Sequence, residues 1–395
     1  MWGRRSVSGY RSQRGRGGCL PFALGIGIAL NVLLIVVSLS DGRTLSLSMF
    51  APTADAGQAA SRAFAQGDLN TAIDRAQAAL AADPQDAAAA LTLARALVYR
   101  SYVDFDHNDD LDTAQAITAD AIAASPDDPD ALAARAFALQ AVGNTIGAVE
   151  QAERALRIDP NHTMARTASA LAYARSGSYD RALTESESAL ATGPTGSERL
   201  DATRALAISQ ADLGRYADAG ETLDNLIASY NGFIPLYYER ALYARQVSNP
   251  DAAENAYLRV LALDPGNIKA QLRLCELSES IGERDSALKN CTQITEAAPS
   301  LPEGWYRLGR VHFLAGDFQE AQQTLNRCTS LQVMQDVPPE ARLFECWFIQ
   351  GQAAEITGDC PALIAVYNQF QVMTEGTDIQ ERWVYPPEGP PMCAG

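Results

Sequence analysis

Six of the seven cysteines fall in the last third of the chain, at Cys275, Cys291, Cys328, Cys346, Cys360 and Cys393. An even set of this kind suits disulfide bonding in an oxidising compartment, although the residues alone leave the pairing open. None belongs to a CxxC pair, so dithiol redox chemistry and a zinc site both lack their usual signature. A second constellation, Asp104, Asp106, Asn108 and Asp110, alternates oxygen donors as a calcium loop does. Asp109 stands where such a loop requires glycine, and Gln115 where it requires a bidentate glutamate. The stretch therefore reads as a solvated acidic loop that caps the helix after it. His107, His162 and His312 fall in a loop, a turn and a packed position, so they imply no shared site. GxSxG, HExxH and P-loop patterns are absent from the sequence. The expectation is a protein that is not an enzyme, with no metal, no cofactor and no small-molecule substrate evident.

A helical repeat must position these side chains. Between Leu301 and Leu331, Trp305, Leu308, Gly309 and Phe313 recur at helical spacing; Gly316 and Asp317 break the pattern; Phe318, Ala321, Leu325 and Cys328 resume it. Small residues at Gly309, Ala321 and Cys328 let two such helices approach closely, and Trp305 offers more apolar surface than one hairpin can bury. Aligned on Gly316, the breaker before each second helix falls at Gly67, Asp109, Gly143, Gly177, Gly214, Ser248, Gly282, Gly316 and Gly358, with gaps of 42, 34, 34, 37, 34, 34, 34 and 42 residues. Pro84, Pro126, Pro160, Pro194, Pro265 and Pro299 mark the turns that close the units. Seven residues before the breakers stand Ala60, Ala94, Ala136, Ala170, Ala207, Ala241, Cys275, Gly309 and Gly351, the second once its unit's insertion is removed. Five residues after them, alanine recurs from Ala72 to Ala321. Two eight-residue insertions interrupt the period, one inside residues 99–110 and one at Leu331–Pro339.

This pattern resembles the tetratricopeptide repeat (TPR) family over roughly Thr53 to Val372, with Trp305, Leu308, Gly309 and His312 filling the aromatic, Leu-Gly and tyrosine-like places of the first helix. Trp347 and Gly351 repeat part of it, while Ala56, Ala90 and Leu132 replace the tryptophan in early units. The resemblance implies an all-α fold, an α-solenoid of about nine hairpins over residues 53–375, followed by a Pro-rich tail at 376–395.

The hairpins narrow the cysteine pairing. Cys275 and Cys291 lie equally far on either side of the Gly282–Asp285 turn, at one height, which predicts a bond enclosing 15 residues. Cys360 sits beside its turn while Cys346 is most of a helix away, on the order of 18 Å. Cys328 with Cys346, and Cys360 with Cys393, then remain. The alternative is that several are buried free thiols in small-residue positions, as Cys275 and Cys328 would allow.

Residues 1–18 carry Arg4, Arg5, Arg11, Arg14 and Arg16 without an acid, and residues 19–40 carry no charge at all. The latter run has the length a membrane-spanning helix requires. The arginines before it predict a cytoplasmic N-terminus, a single-pass anchor, a linker at 41–52 and a periplasmic or extracellular repeat domain. A cleaved secretory signal is the alternative; it exports the repeats equally. Of the net charge of −17, the first 18 residues contribute +5, leaving −22 for the remainder. So acidic a body repels nucleic acid.

In the repeat family the first helices line a concave groove, and partner peptides contact the positions one, five and eight residues beyond the place of Trp305. Carried over, the resemblance puts Arg95, Phe137, Leu171, Arg204, Ile208, Tyr238, Leu242, Arg245, Tyr306, Arg310 and Phe313 on that wall. Family members that clamp a chaperone's C-terminal carboxylate carry asparagine at the second of these positions; here it is Ser61, Arg95, Phe137, Leu171, Ile208, Leu242, Glu276, Arg310 or Gln352. The expected function is a membrane-anchored scaffold for protein or peptide partners. The alternative is a structural or assembly subunit of a larger membrane complex.

Overall fold

The computed structural model describes residues 56–105, 107, 109–386 and 389–393. The segments expected to form the basic tail, the membrane helix and the linker lie outside the described residues. Among the described residues no helix is long and apolar enough to cross a membrane.

Among the described residues eighteen α-helices pair into nine hairpins. The first three are α1 (Ala56–Gln66) with α2 (Leu69–Ala82), α3 (Ala87–Arg100) with α4 (Asp110–Ala124), and α5 (Pro129–Ala141) with α6 (Thr145–Ile158). The middle three are α7 (Thr163–Arg175) with α8 (Tyr179–Ala191), α9 (Gly196–Asp212) with α10 (Tyr216–Ser229), and α11 (Ile234–Gln246) with α12 (Pro250–Leu263). The last three are α13 (Ile268–Ile281) with α14 (Arg284–Ala297), α15 (Pro302–Ala315) with α16 (Phe318–Met334), and α17 (Glu345–Thr357) with α18 (Cys360–Met373). Each helix packs on the next in series, the organisation of an α-solenoid.

The breaker positions explain the hairpins. Eight of the nine adopt a left-handed backbone, from Ser248 at φ 56° to Gly67, Gly143 and Gly316 at φ 85°, which ends the first helix and reverses the chain at little cost where the residue is glycine. Asp109 departs from this expectation, with φ −78°, and in this unit a lengthened connection, 101–109, joins the end of α3 at Arg100 to the start of α4 at Asp110. Asp68, Asp86, Asp128, Asn144, Asn249, Asn267 and Asp359 then start helices by accepting main-chain N–H bonds on their side-chain oxygens. The second insertion is spent partly on helix, since α16 runs to Met334 before the chain turns through Pro338 and Pro339. Both ladders of small residues are buried, from Ala60 and Ala72 at one end to Gly309 and Ala321 near the other. A Cβ on Gly309 would overlap Leu325 of the paired helix, so the small residue there is a condition of close helix approach.

The array does not run straight. α1 packs against α9, eight helices further along the chain. Phe64, Tyr99, Phe137 and Phe233 form one fully buried aromatic cluster, with Tyr99 and Phe233 edge-on at 4.9 Å between centroids. The first five hairpins thus curl until the first meets the fifth.

The C-terminal tail covers the other end. Trp383 packs on Phe348, Tyr367 and Phe370, and Tyr385 on Tyr367. Gln371 donates a 2.7 Å hydrogen bond to the Trp383 carbonyl. Gly351 stands where Gly309 stands one unit earlier; a Cβ there would overlap the Trp383 ring. The tail's tryptophan takes space against the last hairpin that a following hairpin would otherwise cover.

Candidate binding wall

The curl divides the predicted groove into two halves of different fate. In the first half Arg95, Phe137, Leu171 and Arg204 are buried, which corrects their assignment to an open wall: the chain fills its own groove. Arg95 pairs with Asp201 of α9 and donates to the Ser197 carbonyl at 2.8 Å, while Tyr99 donates to the same Asp201. Arg204 pairs with Glu239 of α11 and lies 5.0 Å over the Tyr99 ring. Burial pushes the Glu239 carboxyl up, and Arg204 beside it opposes the shift. Two cations and two carboxylates balance in this throat, as buried charges must.

Ile208, Tyr238 and Leu242 are half-buried. The first and last rest on the central core. The Tyr238 hydroxyl is engaged by Asn267 at 2.7 Å. Arg245 is exposed, and Tyr306, Arg310 and Phe313 are partly accessible on α15. Phe313 packs edge-on against Phe318 at 5.4 Å.

Around these residues α13 and α15 carry an ion-pair ladder that the pattern of aromatic and arginine positions did not display. Arg307 reaches Glu276 at 3.0 Å, Glu303 at 2.8 Å and Glu279 at 3.6 Å. Arg310 reaches Glu279 at 2.6 Å, and Arg273 pairs with Glu276. Burial pushes the Glu303 carboxyl up, with Arg307 pulling it back. Glu276 and Glu279 occupy the second and third wall positions of their unit; the signal was in the sequence, as acids one unit before the arginines. The Arg307 and Arg310 guanidiniums are thus fork-shaped donors already oriented by carboxylates.

The remaining candidates are dispersed. His107 contacts Asp104, His162 contacts Asp130 and His312 approaches Asp317, three separate pairs on three units. Asp110 accepts two hydrogen bonds from the Nε and Nη2 edge of the Arg100 guanidinium, at 2.7 and 2.8 Å; Asp106 and Asn108 lie outside the described residues. The structure joins Cys275 to Cys291, Cys328 to Cys346 and Cys360 to Cys393, with Cα separations of 4.9, 6.2 and 5.5 Å. The first links the helices of one hairpin, the second links consecutive hairpins, and the third ties the tail to the start of α18.

A family model described as tetratricopeptide repeat matches residues 134–198, 167–235 and 204–268, and one described as the second ARM domain of tetratricopeptide repeat protein 21 matches 267–345. The chain is thus similar to tetratricopeptide repeat proteins over residues 134–345. No curated protein matches the chain. Among solved structures, the array is similar to a chain of the APC/C hetero-tetramer Cut9–Hcn1, at 15% identity and a TM-score of 0.56 over 78% of this chain and 57% of that one. It spans just over half of that neighbour's length. The C-terminal part of a TPR protein from Cytophaga hutchinsonii is similar at 13% identity and a TM-score of 0.52, over 64% of this chain and 98% of that one. At these identities the likeness is one of fold.

Proposed function

We propose that this TPR protein is a membrane-anchored scaffold that holds protein or peptide partners on the inner wall of its C-terminal half, outside the cytoplasm. The observation that carries the binding site is the contrast along the groove: the first half is packed with the chain's own Phe64, Tyr99 and Phe137, whereas Arg245, Tyr306, Arg310 and Phe313 keep accessible surface. Aromatic and arginine side chains are those on which binding energy concentrates. The basic residues 1–18 before the uncharged run 19–40 support the anchor and its orientation. Three cysteine pairs in bonding geometry agree with an oxidising compartment. A TPR solenoid is typically a scaffold and not an enzyme, and this reading asks for no catalytic residue.

A second reading, a permanent subunit of a larger membrane complex, is favoured by a row of exposed apolar residues on one edge. Val247, Ile281, Leu314 and Ile356 each stand one or two residues before the turn of consecutive hairpins and are 47, 45, 65 and 56% exposed. Such a row suits a lasting interface. A photoreactive residue at Tyr306, followed by purification in mild detergent, separates the readings. Variable crosslinked clients support the scaffold; a fixed stoichiometric set captured from position 281 and not from 306 supports the subunit. A C-terminal reporter active only in the cytoplasm would overturn the placement.

A further inference from the structure

The insertion in the second hairpin does more than lengthen a turn. It crosses to the turns that join the sixth, seventh and eighth hairpins, with Tyr102 and Val103 in turns that hydrogen-bond back to Tyr99 and Arg100 at the end of α3. Lys269 donates to the main-chain carbonyl of Tyr102. Asn267 donates to the carbonyl of Val103 at 3.2 Å, and the Tyr238 hydroxyl lies at 3.2 Å from the same oxygen. Phe105 packs on Ile268 against the buried Leu272, Ile294, Ala298 and Leu301. A cleft of about 250 Å³ continues beside it, walled by Asp264, Gly266 and Asn267. Burial, then Arg273, disfavours the charged form of the Lys269 ammonium, and Asp104 opposes them.

Side-chain donors on main-chain carbonyls, a cation near an acidic side chain and an apolar recess for an aromatic ring are devices by which a surface reads a peptide. The repeat itself does not need the insertion, since removing eight residues restores the 34-residue spacing of its neighbours. Without this segment Lys269 would lose the Tyr102 carbonyl and Asn267 the Val103 carbonyl, Asn267 keeping Asp264 at 3.0 Å. We propose that these inter-repeat turns form a binding site for a peptide turn in which an acidic residue precedes an aromatic one, and that Tyr102–Phe105 occupies the site in cis until such a partner displaces it. This site lies apart from the open wall on α15, and its test does not depend on that wall.

The probe is a fluorescently labelled, C-terminally amidated peptide with the sequence of Ser101–Phe105, followed by anisotropy. In the full protein the tethered segment competes at an effective concentration on the order of millimolar. A variant with residues 101–109 replaced by one glycine is expected to bind the peptide at least about tenfold more tightly than the unaltered protein. Lys269→Ala in that background should weaken binding again. Equal binding to both proteins, or binding indifferent to Lys269→Ala, overturns the proposal. If the shortened variant does not fold, Phe105→Ala in the full-length loop weakens the cis occupant alone; tighter peptide binding than wild type supports the proposal and unchanged binding overturns it. Crosslinking from Tyr306 should be unaltered throughout, so failure here and failure of the scaffold reading are distinguishable.

Discussion

Gly67, in the turn of the first hairpin, and Gly232, in the turn before α11, meet backbone to backbone. A Cβ on Gly67 would overlap the Gly232 carbonyl, and one on Gly232 would overlap the Gln66 carbonyl. Neither obstacle is a side chain that can swing aside. Gly232→Ala should therefore cost about 1–3 kcal/mol by forcing the curl open. Gly193→Ala is the control: its backbone is left-handed at φ 76° but nothing lies within 4 Å of the added carbon, so only local strain of about 1 kcal/mol is expected. Urea unfolding of both variants measures the difference; equal costs would mean that the contact does not hold the curl.

The throat charges make a second prediction. Arg95 and Asp201 are 3 and 0% exposed and lie on different hairpins. Asp201→Asn leaves a buried guanidinium short of its counter-charge and should cost about 3–5 kcal/mol. The double variant Arg95→Met with Asp201→Leu should lose less than the two single changes together, because no unpaired charge remains. Additive losses in a double-mutant cycle would show the two residues to be uncoupled.

Lys269 sets a pH dependence. Its ammonium is held down from 10.5 to about 8, first by burial and then by Arg273, with Asp104 opposing. The unfolded chain keeps this proton to higher pH than the folded one, so between pH 8 and 10.5 the unfolded state binds more protons and stability rises with pH. The gain up to about pH 9.5 should be on the order of 2 kcal/mol. Below pH 8 the lysine is charged in both states and adds no slope. Burial raises the hydroxyls of Tyr99, Tyr238 and Tyr243, which acts in the opposite sense above about pH 10 and closes the window. Unfolding free energies measured between about pH 7.5 and 9.5 should climb in the wild type and stay flatter in Lys269→Met.

The disulfides should differ in reach. Cys275→Ala with Cys291→Ala removes a link across 16 residues of sequence and should lower global stability by about 3 kcal/mol. Cys360→Ala with Cys393→Ala frees only the tail, so its expected signature is faster proteolysis near the C-terminus with little change in the main transition. A main transition that falls as far for the second pair as for the first would contradict this division.

Gly351→Leu tests the cover on the last hairpin. The added side chain claims the space of the Trp383 ring. Displacement should shift tryptophan emission to longer wavelength and expose Phe348 and Phe370, read as dye binding to newly bared apolar surface.

The hairpins were legible because their causes are local. A breaker, a cap and two small residues recur within about one period each, and the buried ladders from Ala60 to Ala321 follow directly from that recurrence. The pairing of Cys275 with Cys291 was legible for the same reason, since the two share one hairpin. The state of the wall was not. Whether Phe137 faces solvent depends on small rotations between units that accumulate over five hairpins, and no short window of sequence records their sum. The segment at Tyr102–Phe105 was hidden likewise: the insertion announced itself as acidic residues, while its main-chain carbonyls do the binding. The one hint was Lys269, one of only two lysines in the chain.

The contact of α1 with α9 also bears on how the molecule is made. Ribosomes deliver the first hairpin well before the fifth, so Phe64 leaves the tunnel with its partner Phe233 still unsynthesised, and the opening units must wait, half-clothed, for the middle of the protein to arrive. A string of neighbours would set like beads, one after another; here the first five hairpins set together, and a nascent chain stalled before α9 is the species most exposed to aggregation.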